Sequence, residues 1–135
     1  MQKMRFQLLL CFTFMVVVPG CRNGNDMHTL LIKSYPKEFK FIKYNNGKAG
    51  EATIVKSGDY LYDELLILIS NEKIKWKRDF TTYAPQNILH SEKMNVNFIN
   101  RLVIINFTQN GKKWVQIVTE SEKPIIKVET EKNTQ

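Results

Sequence analysis

The sequence is poor in the side chains that enzymes most often use for chemistry. Its 135 residues include two cysteines and two histidines. His28 and His90 have neither a cysteine nor another histidine at ligand spacing, which argues against a zinc site. The motifs of α/β-hydrolases, zinc proteases and P-loop proteins are absent as well. We therefore expect no catalytic residue, no metal and no cofactor, and we expect both histidines at the surface.

Long apolar runs are also missing. The longest stretch, FQLLLCFTFMVVV, covers residues 6–18. It has about 13 residues, whereas a membrane-spanning helix needs roughly 17 to 20. Lys3 and Arg5 precede it, and a basic start before a short apolar run is typical of a secretory signal peptide. A core helix is the alternative, but Gln7 and Thr13 are too few to form a polar face.

The end of the apolar run resembles a bacterial lipobox. In VPGC, Val18 and Gly20 stand at the aliphatic and small positions, and Cys21 stands where the lipid is attached. The resemblance implies that residues 1–20 are removed and that Cys21 carries the acyl chains, palmitate among them, that anchor the protein. Cys11 would leave with the leader, and a thioether to lipid explains the odd cysteine that remains. A disulfide between Cys11 and Cys21 is the alternative, and it requires an uncleaved leader.

The same resemblance implies a location in the cell envelope. In Gram-negative bacteria an aspartate after the lipidated cysteine retains lipoproteins at the inner membrane, and here Arg22 follows Cys21. The outer membrane is the implied destination, with the domain facing the periplasm. We expect residues 21–29 to form a lipidated tether, residues 30–129 a folded domain and residues 130–135 a polar tail.

The hydrophobic pattern after the tether has the period of a β-strand. KIKWKRD, at residues 73–79, and MNVNFIN, at residues 94–100, alternate apolar and polar side chains, which indicates half-buried strands. Asn-Gly pairs in NNGK and QNGK predict tight hairpins. A two-residue loop at Asn110-Gly111 places Phe107 opposite Trp114.

These signals predict an all-β fold, a small antiparallel β-sandwich of about seven to nine strands. For the apolar run at residues 65–69, a helix that begins near Asp63 is the alternative to a strand. Residues 80–91 are expected to connect two sheets or to carry an edge strand. The predicted strands lie near residues 29–33, 38–44, 51–56, 64–70, 73–79, 94–99, 102–109, 112–119 and 124–129.

Two surface features are candidates for binding a partner. Lys73, Lys75, Lys77 and Arg78 form a basic stripe, which either protects a sheet edge from unwanted pairing or attracts an acidic protein. Residues 83–90, with Tyr83, Ile88 and Leu89, either bind a partner from a loop or cover the core.

The net charge of +7 falls to about +5 when the two basic residues of the leader are lost. Basic residues alternate with acidic ones and lack clustered aromatics, which argues against nucleic acid as a partner.

The sequence thus predicts a membrane-anchored periplasmic lipoprotein that acts by binding a protein. Its leader, size and strand pattern give it an overall resemblance to type VI secretion immunity lipoproteins, which implies neutralisation of a secreted effector. A structural accessory subunit of a cell-envelope assembly is the alternative. An enzyme has the least support, because the inventory of reactive side chains is thin.

Overall fold

The computed structural model describes residues 25–109, 111 and 113–126. The predicted leader, Cys21 and the predicted tail lie outside the described residues. The described chain forms α1 (Asn25–Ser34), β1 (Glu38–Asn45), β2 (Lys48–Ala49), β3 (Thr53–Lys56), α2 (Tyr60–Ser70), β4 (Lys77–Arg78), β5 (Asn87–His90), β6 (Met94–Ile99), β7 (Leu102–Gln109) and β8 (Lys113–Glu120). Neither of these two helices has the length and apolar character needed to cross a membrane.

The eight strands of the described chain join in one antiparallel sheet. Its order is β2-β1-β5-β6-β7-β8-β4, and β3 pairs with β1 on the same side as β2. The prediction of a small, all-β, sandwich-like domain is confirmed, because antiparallel strands dominate and the described helices are short. The predicted strands at residues 94–99 and 102–109 coincide with β6 and β7.

One face of the sheet carries the core. Successive side chains of a strand point to opposite faces, and in β6 and β7 the apolar residues that alternate along the strand are buried on this face. Leu31 of α1 and Leu65 and Ile69 of α2 are fully buried against this face. The two helices thus form the layer that covers it, and part of the segment between β4 and β5 lies over the opposite face. The core residues of the sheet include Phe39, Leu89, Val96, Phe98, Ile105, Phe107 and Ile117.

Two stretches predicted as strands are helical: the strand prediction is wrong for both, and the helix that was the alternative for the second stretch is confirmed. Residues 29–33 belong to α1, and residues 64–70 belong to α2. In α2 the buried residues Tyr62, Leu65 and Ile69 recur at helical spacing. The apolar run within α2 hides that spacing, because periodicity alone does not separate a buried helix from a buried strand. Since α1 begins at Asn25, residues 25–29 are helical although we expected them in the tether.

Three other segments differ from the predicted strands. Of residues 73–79, only Lys77–Arg78 form a strand, β4, at the edge of the sheet. The segment expected to be a connection or an edge strand contains β5, which lies inside the sheet between β1 and β6. Residues 124–126 are not a strand, and residues 127–129 lie outside the described part.

The two predicted hairpins form, one of them in a different register. Asn46 and Gly47 have positive φ angles of 50° and 75°, as a tight Asn-Gly turn requires. Between β7 and β8, however, the loop has three residues, because Gln109 pairs with Lys113. Phe107 therefore faces Val115 rather than Trp114. A shift of one residue turns a side chain to the other face, so Trp114 lies on the face opposite the core.

Candidate functional site

A row of polar side chains crosses the outer face of the sheet, opposite the core. His90 pairs with Asn95, Asn95 with Asn106, and Asn106 with Gln116. Paired residues of neighbouring strands point to the same side, so these four side chains form one line across β5, β6, β7 and β8. Neighbouring strands are about 4.8 Å apart, which sets the spacing of this polar row.

The segment at residues 79–86, which we call the covering loop, is held over the same face by two carboxamides. At its start, Gln116 Nε2 donates to two backbone carbonyl oxygens of the loop, at 3.2 and 2.8 Å. At its end, Asn97 donates to a loop carbonyl at 3.0 Å and accepts from a loop N–H at 3.1 Å. These bonds tie the loop to the sheet at both ends, so the sheet determines its position.

A second set of bonds lies inside the covering loop. The Tyr83 hydroxyl donates to the Asp79 carboxylate, and the backbone N–H of Thr81 donates to the other carboxylate oxygen at 2.9 Å. The hydrogen bond from Tyr83, followed by those from Thr81, lowers the pKa of Asp79 to about 2. The same bond to Asp79 raises the pKa of Tyr83. Asp79 is therefore ionised at neutral pH and stabilised within the loop.

A cleft of about 520 Å³ lies between the covering loop and the polar row. Ligand-binding clefts typically have about 300 to 1,000 Å³. Of the residues predicted to bind a partner, Arg78, Tyr83 and Ile88 line this cleft. Leu89 does not, because its side chain is fully buried in the core on the other face. Leu89 therefore covers the core, as the alternative predicted, and the prediction that it contacts a partner is wrong.

The basic stripe lies beside this cleft, and only part of it forms a strand. Lys73, Lys75, Lys77 and Arg78 are all exposed, and only the last two belong to β4. The backbone is nevertheless held: the Thr119 hydroxyl donates to a carbonyl of the stripe at 3.1 Å. Trp76, between the lysines, packs against the core.

The cations of this stripe have no anionic partner within the described residues. The ion pair found within the described residues joins Arg101 to Glu120, neither of which belongs to the stripe. Phe80 follows directly in the sequence and is 93% exposed. We call the four cations together with Phe80 the basic edge.

His28 is a buried structural residue, contrary to the prediction. We expected it at the surface, but it is only 6% exposed. Its Nδ1 lies 2.8 Å from the Ile69 carbonyl oxygen and its Nε2 lies 3.1 Å from that of Ile74. Carbonyl oxygens only accept, so the neutral ring donates to one of them and the imidazolium to both. The ring thereby links α1 to the end of α2 and to the segment that leads into the basic edge.

The polar row was visible in the sequence but was not recognised as a site. MNVNFIN places Asn95 and Asn97 at alternate positions, on the polar face of the predicted strand. Alignment of Asn95 with Asn106 and Gln116 depends on strand registers that no local pattern gives. Among the described residues, no group of three or more histidine, cysteine, aspartate or glutamate side chains is placed to hold a metal ion.

Comparison of the chain with protein-family models, with curated proteins and with solved structures finds no match.

Proposed function

We propose that the protein is a lipid-anchored lipoprotein of the cell envelope that acts by binding an acidic protein partner at its basic edge. One observation supports this most strongly. Four exposed cations without an anionic partner in the described chain lie beside a phenylalanine that is 93% exposed. An acidic surface with an apolar depression is the partner that such an edge would fit.

The chemistry of the basic edge is that of a protein interface. Aromatic residues and arginine are enriched among the residues that dominate binding energy. Phe80 contributes little buried area to this fold, whereas burying its side chain in a complex would stabilise that complex by about 1.5 to 3 kcal/mol. The lysines would act mainly on the association rate and on its dependence on salt.

In this proposal, the cellular location of the protein is inferred from the leader. The lipobox resemblance supports a location on the periplasmic side of the outer membrane, with the domain held by a lipid on Cys21. Within this setting we propose an immunity role, in which the partner is a secreted effector that the protein neutralises. An accessory subunit of an envelope assembly would use the same edge, and it differs in that its partner is not toxic when produced alone in the periplasm.

A charge-matched pair of variants tests the binding surface. The first carries Lys73→Gln, Lys75→Gln and Lys77→Gln. The control carries Lys37→Gln, Lys43→Gln and Lys48→Gln, which are also exposed and lie near the other edge of the sheet. Both lose three positive charges, so a general effect of net charge would be the same in both.

We expect the full-length parent and the control, extracted in detergent, to capture the same acidic protein from envelope extracts. The basic-edge variant should capture much less of it, most clearly at low salt, while all three have the same melting temperature. The captured protein is then purified and titrated against each variant. Equal affinity for both triple variants would remove the lysines from the interface. Self-association of the basic-edge variant, seen by light scattering, would favour edge protection instead.

A further inference from the structure

The geometry points to a second binding function: the cleft beneath the covering loop binds a chain of neutral sugar rings, with the polar row as its floor. This site adjoins the basic edge at Arg78 and Phe80, which line the cleft, whereas none of the three lysines of the basic edge does. Its floor consists of uncharged side chains from three neighbouring strands, chiefly Asn95, Asn106 and Gln116.

The floor has hydrogen-bonding capacity that the described protein leaves unused. The side chain of Asn106 makes no hydrogen bond to any described residue, although it is only partly exposed and lies on the cleft floor. Asn95 uses its carbonyl oxygen, which lies 2.6 Å from Nδ1 of His90. Its NH₂ group has no partner in the described chain. A carboxamide donates and accepts at the same time, and so does a hydroxyl group. A ligand rich in hydroxyl groups would therefore satisfy both halves of each amide.

The spacing of the floor fits a sugar chain better than an extended peptide. The side chains of the polar row follow one another across strands about 4.8 Å apart. That spacing is comparable with the length of one ring in an extended 1,4-linked chain, so successive rings could meet successive amides. An extended peptide advances about 3.3 Å per residue, or about 6.6 Å between side chains on the same face. Neither interval matches the row.

Aromatic rings border the floor. Trp114 is 49% exposed and precedes Gln116 by two residues on β8, so it lies on the same face. Tyr83 lines the cleft from the covering loop. The C–H face of a pyranose ring is apolar and packs against the flat face of an aromatic side chain, while its hydroxyl groups at the ring edge reach the amides.

The charges of the cleft argue for a neutral ligand. Its carboxylate, Asp79, already accepts from Tyr83 and Thr81. Its cations, Arg78 and Lys113, come from the ends of β4 and β8, whereas the middle of the floor is uncharged. A strongly acidic ligand would find its charge partners only at the margin.

The test is a titration of the full-length protein in detergent with two probes, a tetrasaccharide of 1,4-linked N-acetylglucosamine and one of 1,4-linked glucose. Side-chain NH₂ signals of Asn95, Asn106 and Gln116 are followed by NMR. We expect one or both probes to shift these signals with a saturable dissociation constant. The two probes separate acetamido recognition from recognition of hydroxyl groups alone.

Variants assign the binding to the floor. Asn106→Leu removes the unpartnered amide and should weaken binding at least about tenfold, the effect of about 1.4 kcal/mol. Gln109→Leu is the matched control, since Gln109 is a carboxamide on the same strand that does not line the cleft, and it should bind as the parent does. Trp114→Ala, which changes an aromatic residue at the border of the floor, should also weaken binding. It replaces Asn106→Leu as the test if that variant does not fold.

Three results would overturn the inference. The first is the absence of shifts with both tetrasaccharides at concentrations up to about 10 mM, near the weak limit of specific binding. The second is an equal loss of affinity in the Asn106 and Gln109 variants. The third is a shift of the same amide signals by an extended octapeptide without any shift by the sugars, which would make the cleft a peptide site. None of these results bears on the role proposed for Lys73, Lys75 and Lys77, because none of these lysines lines the cleft.

Discussion

Cys21→Ser is expected to detach the protein from the membrane or to leave it with its leader uncleaved. Serine offers no thiol for the thioether, so the variant would lack the lipid that the lipobox resemblance implies. Removing the acyl chains removes the anchor altogether, because each buried CH₂ contributes about 0.8 kcal/mol to membrane binding. Fractionation of cells into membrane and soluble parts, with incorporation of a palmitate analogue, measures the effect.

The first cysteine provides the matched control. Cys11→Ser alters the part of the chain that the proposal assigns to the leader, so the mature protein should be anchored and labelled as the parent is. If the two positions form a disulfide instead, both variants would behave alike. Membrane binding and labelling of the Cys21 variant at the level of the parent would contradict lipidation.

His28→Ala is expected to cause the largest loss of stability among changes outside the apolar core. It leaves a cavity between α1 and α2 and removes the ring whose two nitrogens lie within hydrogen-bond distance of two backbone carbonyl oxygens. One of these belongs to Ile69, in the last turn of α2, whose carbonyls have no partner within the helix. Cavity formation and an unpaired buried acceptor together give about 2 to 4 kcal/mol. For a domain of this size that lowers the melting temperature by more than about 8 °C.

Two further histidine variants separate the causes. His90→Ala changes an exposed histidine and should alter the unfolding free energy by no more than about 0.5 kcal/mol. His28→Phe fills most of the volume but cannot donate, so it should also destabilise the protein if the hydrogen bonds matter. Unfolding of the full-length proteins in urea provides the measurement. A His28→Ala variant as stable as the parent would show that the ring does not hold α1 in place.

The outcome at His28 shows why part of this fold could not be read from the sequence. The strands β6 and β7 were predicted at their observed bounds, because alternation and turn residues act locally. The helix α1 is not predicted, since its stretch is short. His28 then looked like a surface residue, although one helical turn separates it from the buried Leu31. Tertiary packing on the sheet, not local propensity, determines this helix.

The candidate site was predictable only in part for a related reason. The basic stripe and the segment around Tyr83 follow from the sequence, because charge and loop composition are local properties. The polar row depends on three successive strand pairings, and the hairpin register between β7 and β8 was predicted one residue away from the observed one. That shift decides whether Trp114 lies in the core or beside the cleft. Long-range register therefore separates the residues that could be identified from those that could not.

The most direct test of binding at the basic edge is site-specific photo-crosslinking in intact cells. A photoreactive benzoyl-phenylalanine is placed at Phe80 or, as the control, at Ile67, which is 62% exposed on α2 in the helical layer on the opposite side of the sheet. The proposal predicts a discrete crosslinked product with an acidic envelope protein from position 80 and none from position 67. A product from position 67 alone, or none from either, would contradict the proposal that the protein acts through its basic edge.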